Sequence, residues 1–135
     1  MKKYILTLVL TIALLPSMAQ KGLVRKGDYH FKMMAYPKAI PYYTKALKKD
    51  STLQEATFKL ADCYRLTNNR QMAEIWYAKA VKMSTVLPIY KFYYGQALMN
   101  NGKFAQAKKW MTDFVLDNKT DGRGQSFVKA IDTYQ

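Results

Sequence analysis

The sequence predicts an all-α fold, a solenoid of about three stacked helix pairs followed by a C-terminal capping helix. Two observations carry this prediction. Small residues recur at one interval: Ala39, Ala73 and Ala107 stand 34 residues apart, and Gly27, Ala61 and Gly95 keep the same step. Around them apolar residues fall at i, i+3, i+4 and i+7, as in Ala39, Tyr42, Tyr43, Ala46 and Leu47, which is the spacing of one helix face. Two independent positions that hold one period through three units mark a repeat array, in which each unit buries its apolar face against the next.

The elements follow in chain order. Lys2 and Lys3 open the sequence, Tyr4 to Leu15 is an apolar run, Pro16 ends it, and Ser17-Met18-Ala19 places small residues at the −3 and −1 positions. This is the pattern of a secretory leader over residues 1–19, cleaved after Ala19. The run is shorter than the ~20 apolar residues of a membrane span. The mature chain is therefore expected to begin at Gln20, to have no membrane span, and to be exported, in the periplasm or associated with the outer membrane.

The array occupies residues 20–121, in units of about 20–53, 54–87 and 88–121. First helices are expected over 22–34, 54–67 and 88–100, and second helices over 36–49, 71–83 and 104–117. Asn68-Asn69 and Asn101-Gly102 supply turns within units, because Asn and Gly tolerate left-handed backbone. Asp50-Ser51-Thr52 and Ser84-Thr85 stand between units, where a side-chain oxygen can cap the next helix. Pro88 suits a first helical turn, where a missing N–H leaves no bond unmade. Pro41 falls early in a second helix, either within its first turn or at a slight bend. Gly27, Ala61 and Gly95 are expected to meet the region of Ala39, Ala73 and Ala107, with Tyr43, Tyr77 and Met111 filling the space towards the next unit. Asp121-Gly122-Arg123-Gly124 reads as a flexible turn, and residues 122–135 as the cap, with Phe127, Val128, Ala130, Ile131 and Tyr134 at helical spacing.

The middle unit carries a recognisable pattern. Ala61, Ala73, Tyr77 and Ala80, with Leu60 and Tyr64, resemble the tetratricopeptide repeat, and the likeness extends over about residues 21–121. The first unit keeps Gly27, Ala39, Tyr43 and Ala46 but has Lys26 and His30 where an apolar residue and Tyr are usual. The third keeps Gly95, Ala107 and Met111 and has Phe114 in place of the late Ala. The resemblance implies a right-handed superhelix. Ala61-Asp62-Cys63-Tyr64-Arg65-Leu66, Ala73-Glu74-Ile75-Trp76-Tyr77-Ala78-Lys79-Ala80 and Tyr93-Tyr94-Gly95-Gln96-Ala97-Leu98 are also similar to the amino-terminal repeat segment of exported OmpA-family envelope proteins of Bacteroidota-type bacteria. Some of those are associated with type IX secretion and gliding, and they usually continue into a β-propeller and a peptidoglycan-binding domain. Neither is encoded before Gln135, so a stand-alone relative or a truncated product is expected, and no peptidoglycan role carries over.

No catalytic constellation is announced. His30 is the only histidine, the acids are dispersed, and no glycine-rich phosphate loop is present, so neither metal nor cofactor is expected and the chain does not read as an enzyme. Cys63, the only cysteine, reads as a small apolar residue inside a helix, and Trp76 and Trp110 as core aromatics. Subtracting Lys2 and Lys3 from the net charge of +13 leaves +11, a field that attracts anionic partners. Nucleic acid fits by charge alone but is not expected outside the cytoplasm. The resemblance implies that the first helices line a concave groove, which places Asp28, Phe31, Phe58, Asp62, Arg65, Leu66, Phe92, Gln96 and Met99 near it, with packing between helices as the equal alternative for Phe58 and Phe92. An envelope scaffold or adaptor that binds a protein or peptide is the reading, with Arg65 as a favoured contact. An anionic glycan or lipid surface is the alternative partner.

Overall fold

The computed structural model describes residues 18–133, so the predicted leader lies outside the described residues except for Met18 and Ala19. Among the described residues there are seven α-helices and no strand. They are α1 (18–32), α2 (Tyr36–Lys49), α3 (Gln54–Leu66), α4 (Arg70–Ala80), α5 (Pro88–Asn100), α6 (Phe104–Asp117) and α7 (Gly122–Asp132). Each helix from α2 onward packs chiefly against its neighbours in the chain. The result is a superhelical stack of the pairs α1–α2, α3–α4 and α5–α6, closed by α7.

The turn inside each pair has one construction. Met34, Asn68 and Gly102 adopt left-handed backbone, with φ of 54°, 59° and 76°, and stand at the repeat interval. The N–H of the following residue reaches back five positions in all three: Ala35 to His30 O (2.9 Å), Asn69 to Tyr64 O (2.8 Å) and Lys103 to Leu98 O (2.9 Å). These are Schellman closures, which satisfy carbonyls the helix end would otherwise leave bare. In the first unit the left-handed residue is a methionine, whose side chain carries no turn signal.

The caps between units differ from expectation. Leu53 and Leu87 hold the N-cap positions of α3 and α5 without side-chain caps. Asp50 instead accepts from the Thr52 N–H (2.9 Å) and closes the loop on itself. True side-chain caps occur at Asn69, which accepts from Met72 N–H (3.2 Å), and at Asp121, which accepts from Arg123 N–H (3.0 Å). Pro88 opens α5 as predicted, whereas Pro41 lies inside α2 rather than in its first turn. Asp121-Gly122-Arg123-Gly124 is the start of α7 and not a flexible turn. Gly124 is needed there for close approach: a Cβ would lie 2.7 Å from both Phe114 Cδ1 and Val115 Cγ2.

The core is a series of layers between successive units. Ala39, Tyr43 and Leu47 of α2 pack on Ala56, Leu60 and Cys63 of α3. Ala73, Tyr77 and Ala80 of α4 join Phe58, Ala61 and Ala97, and Ala107, Met111 and Phe114 of α6 join Phe92, Leu98 and Ile131. Ala39, Ala46, Ala80 and Ala107 are all fully buried. The small residues of the first helices clear space for one large side chain each. A Cβ at Gly27 would sit 2.6 Å from Tyr43 Cε1, and one at Gly95 would sit 3.0 Å from Met111 Cε. These glycines therefore make room for a large side chain of their own second helix, one turn after Ala39 and Ala107. Trp76 and Trp110 are half-buried and lie against the layers.

Candidate functional site

The first helices of successive pairs are tied sideways by side chains on one face. Asp28 on α1 accepts from the Tyr43 hydroxyl (2.7 Å) and from Lys59 Nζ on α3 (2.8 Å), and Lys59 also pairs with Glu55 (2.7 Å). One repeat later Asp62 accepts from the Tyr77 hydroxyl and from Arg65 Nη2 (3.1 Å). Arg65 Nε also donates to the Tyr77 hydroxyl oxygen (3.1 Å), and the guanidinium lies 4.6 Å over the Tyr93 ring of α5. On α7, Arg123 stands 5.0 Å over the Phe92 ring.

The Asp–Tyr rung is a local consequence of the repeat. A residue after the small position of the first helix faces a residue four after the small position of the second, and in units one and two these are Asp and Tyr. Gln96 and Met111 occupy the same places in the third unit, so the rung stops there. Burial, and then the neighbouring Asp28 and Asp62, push the Tyr43 and Tyr77 hydroxyls far above the ordinary phenol range. Burial alone would lower the basicity of Lys59 and Arg65. Bonds to Asp28 and Glu55, and to Tyr77 and Asp62, outweigh it, and both cations end above their ordinary values. The rungs hold the acids and two of the cations of this face in a fixed array.

The predicted groove residues divide into three groups. Asp28, Asp62 and Arg65 come together in the rungs, so Arg65 is a held, half-buried group and not a free anchor. Leu66 is 43% exposed at the end of α3, and Gln96 and Met99 are partly exposed on α5. Phe31 packs edge-on against Tyr36 (5.4 Å) at the margin of the first layer. For Phe58 and Phe92 the structure takes the packing alternative: at 2% and 4% exposure they lie between helices instead of facing a groove. Both are large and apolar at a register that faces the neighbouring helix, and burial wins over display. Sequence reasoning missed Lys59, Tyr93 and Arg123. Lys59 and Tyr93 are themselves one repeat apart, a signal that was available.

Beside this face a cleft of about 590 Å³ opens between the start of α1 and the α2–α3 loop, lined by Lys21, Val24, Arg25, Leu53 and Glu55 among others. Among the described residues no group of three or more His, Cys, Asp or Glu side chains is placed to hold a metal ion, and no helix is long and apolar enough to cross a membrane. The buried Cys63 thiol is pushed up to about 12, first by desolvation and then by Asp62, which keeps it protonated.

Known proteins share this architecture. Residues 55–85 match the model of the tetratricopeptide repeat, a stretch that takes in α3, α4 and the loop after them. No match is found among curated proteins. Among solved structures, the first tetratricopeptide domain of Spaghetti (RPAP3) bound to the HSP90 peptide SRMEEVD is 22% identical with a TM-score of 0.77, covering 87% of this chain and 94% of that one. The Arabidopsis OM64 tetratricopeptide domain is 17% identical, with a TM-score of 0.78 and coverage of 89% and 99%. The Yersinia enterocolitica type III secretion chaperone SycD, in complex with a peptide of the translocator YopD, is 17% identical, with a TM-score of 0.73 and coverage of 84% and 92%. The fold is thus an all-α tetratricopeptide-type superhelix.

Proposed function

We propose that this chain is an exported interaction scaffold that holds a peptide segment of a partner protein along the face of α1, α3, α5 and α7. The observation that carries the reading is the side-by-side array Asp28–Lys59 and Asp62–Arg65–Tyr93, fixed by buried tyrosines and flanked by Leu66, Gln96 and Met99. A pre-organised row of mixed polar and aromatic groups spends little conformational freedom on binding. Peptides bound to the RPAP3 domain and to SycD support the same use of this fold.

Proximity labelling in the native envelope tests the reading. The expected result is a partner labelled by the wild-type chain, lost with Leu66→Glu and kept with Ile75→Glu on the outer helix α4, where Ile75 is 48% exposed. Equal labelling by both variants would refute groove recognition. The exported, envelope setting is part of the proposal and rests on the leader pattern of residues 1–19. A mature amino terminus at Gln20, found by mass spectrometry of the envelope fraction, supports it, and an intact Met1 in the cytoplasm removes it. The similarity of Ala61 to Leu66 and Tyr93 to Leu98 to the repeat segment of Bacteroidota OmpA-family proteins belongs to this proposal as well. A β-propeller or OmpA-like continuation in the genomic reading frame decides whether the chain is a truncated member.

A second reading is favoured by the outer helices. Lys45, Lys48, Lys49, Lys79 and Lys82 are all exposed on or just after α2 and α4 and would suit an anionic glycan or lipid surface. Binding to anionic vesicles that disappears between low and moderate salt, and is unaffected by Leu66→Glu, would favour it.

A further inference from the structure

We infer that the outer edge of α1 is a second docking surface, distinct from the peptide face, and that it takes one amphipathic, acidic helix of a partner protein. In the second unit Ala56, Leu60 and Cys63 of α3 receive the ridge Ala39, Tyr43 and Leu47 of the preceding second helix. In the third unit Tyr90, Tyr94 and Ala97, each one repeat later, pack on the layer formed by Ala73 and Tyr77 of α4. The same three places in α1 are Gly22, Lys26 and Tyr29.

In α1 this edge is open. Tyr29 is 60% exposed, and Met33 and Met34 beside it are 62% and 74% exposed. A Cβ at Gly22 would meet nothing within 4 Å, and a notch of about 330 Å³ lies there, lined by Gly22, Arg25, Lys26, Tyr29 and His30. The notch has a firm wall: His30 stacks on Tyr42 (5.4 Å, 13° between planes) and meets Tyr29 edge-on (5.4 Å). The edge is therefore built like the internal interfaces, with an aromatic–methionine strip and a gap for an incoming ridge.

Charge selects the occupant. Arg25, Lys26 and Lys32 are exposed around the strip and have no ion-pair partner among the described residues, whereas Asp28 is turned away and held by Tyr43 and Lys59. An occupant must therefore bring acids on either side of its apolar ridge. A second copy of this chain fits poorly. Its ridges on α2, α4 and α6 are already buried, with Tyr43, Tyr77 and Met111 all at 0% exposure. Its own charge of +13, or +11 without Lys2 and Lys3, would also oppose the approach.

The test uses the purified full-length chain with labelled methionine methyls and two synthetic helical peptides. One carries Ala, Tyr and Val at i, i+4 and i+8, the spacing of Ala73 and Tyr77 of α4 and of Val81, which caps it, flanked by glutamates, and the other is identical but flanked by lysines. The acidic peptide is expected to shift the Met33 and Met34 methyl signals while Met99 on the peptide face and Met111 in the core stay fixed. Tyr29→Ser with Met33→Ser should weaken it by about tenfold or more, as truncated interface anchors do. Both side chains are mostly exposed, so the circular dichroism spectrum should not change. Leu66→Glu should leave this binding intact, which separates it from the peptide-face proposal. Equal binding of the two peptides, shifts at Met99 instead of Met33, or no shift at ~1 mM peptide would overturn the inference. Concentration-dependent self-association abolished by the Tyr29 and Met33 substitutions would also overturn it, in favour of a second copy.

Discussion

Gly27 and Gly95 hold the same place in the first and third helix pairs, yet replacing each by alanine should move stability in opposite directions. Alanine in a helix interior is favoured over glycine by ~1 kcal/mol, because it loses less backbone freedom on folding. Against that stands the space available. At Gly27 the new methyl would lie 2.6, 2.8 and 2.9 Å from Cε1, Cδ1 and Cζ of Tyr43. That ring is fully buried and its hydroxyl is held by Asp28, the residue next to the substitution. It cannot swing aside without breaking the rung, so α1 must move outward. Overpacking of this kind costs ~1–3 kcal/mol, which leaves a net loss of ~1 kcal/mol once the propensity gain is subtracted. At Gly95 the contacts are 3.0, 3.1 and 3.2 Å to Cε, Cγ and Sδ of Met111, an unbranched chain that re-packs easily. There the propensity gain survives, and Gly95→Ala should stabilise by ~0.5 kcal/mol. Ala61 beside Tyr77 shows that an alanine–tyrosine crossing can be built, but in a unit folded around it from the start. Urea unfolding followed by far-ultraviolet circular dichroism reads both changes, and thermal midpoints should separate by several degrees, at ~4 °C per kcal/mol for a domain near this size. If Gly27→Ala is as stable as Gly95→Ala, the tyrosine ring is not pinned and the argument from the rung fails.

Met34→Gly should stabilise by ~0.5–1 kcal/mol, because φ of 54° strains an L residue and suits glycine; a loss in the same urea assay would contradict it. Cys63 should resist alkylation in the native chain and react on unfolding, since burial holds its thiol up to about 12. For the same reason stability should be complete below the ordinary thiol value of 9.0 and fall as pH rises towards about 12, with Tyr43 and Tyr77, whose values are raised further, adding to the loss; a flat thermal midpoint across that window would refute this. Met111→Tyr alone buries a hydroxyl over Gly95 that faces the longer Gln96 amide in place of a carboxylate, and should destabilise by ~1–3 kcal/mol. Adding Gln96→Asp supplies the acceptor found in the first two units, and a double-mutant cycle should return a favourable coupling of ~1 kcal/mol, against zero if the rung is incidental.

What could be read in advance was whatever the repeat repeats. The period located Ala39, Ala73 and Ala107 in the core, the three pairs and the cap, because close packing between units leaves few residue types that fit. It did not show which large side chain each small residue clears. Gly27 and Ala39 both recur at one interval, and periodicity alone cannot say which of them faces the Tyr43 ring. Met34 was invisible as a turn because the Schellman closure is made by backbone groups, and only its partners Asn68 and Gly102 carry turn residues. At the candidate site the helices were assigned correctly, but display and burial were not separable. Phe58, Asp62 and Arg65 share one helix and fall within two turns, and a rotation of a fraction of a turn decides which of them meets a ligand. That rotation is fixed by Lys59 reaching Asp28 and by Arg65 covering Tyr93, contacts between units whose members are far apart in sequence. The open edge of α1 teaches the converse. Lys26 stands where an apolar residue is usual, at a place where α1 receives no ridge among the described residues and the internal packing constraint is lifted.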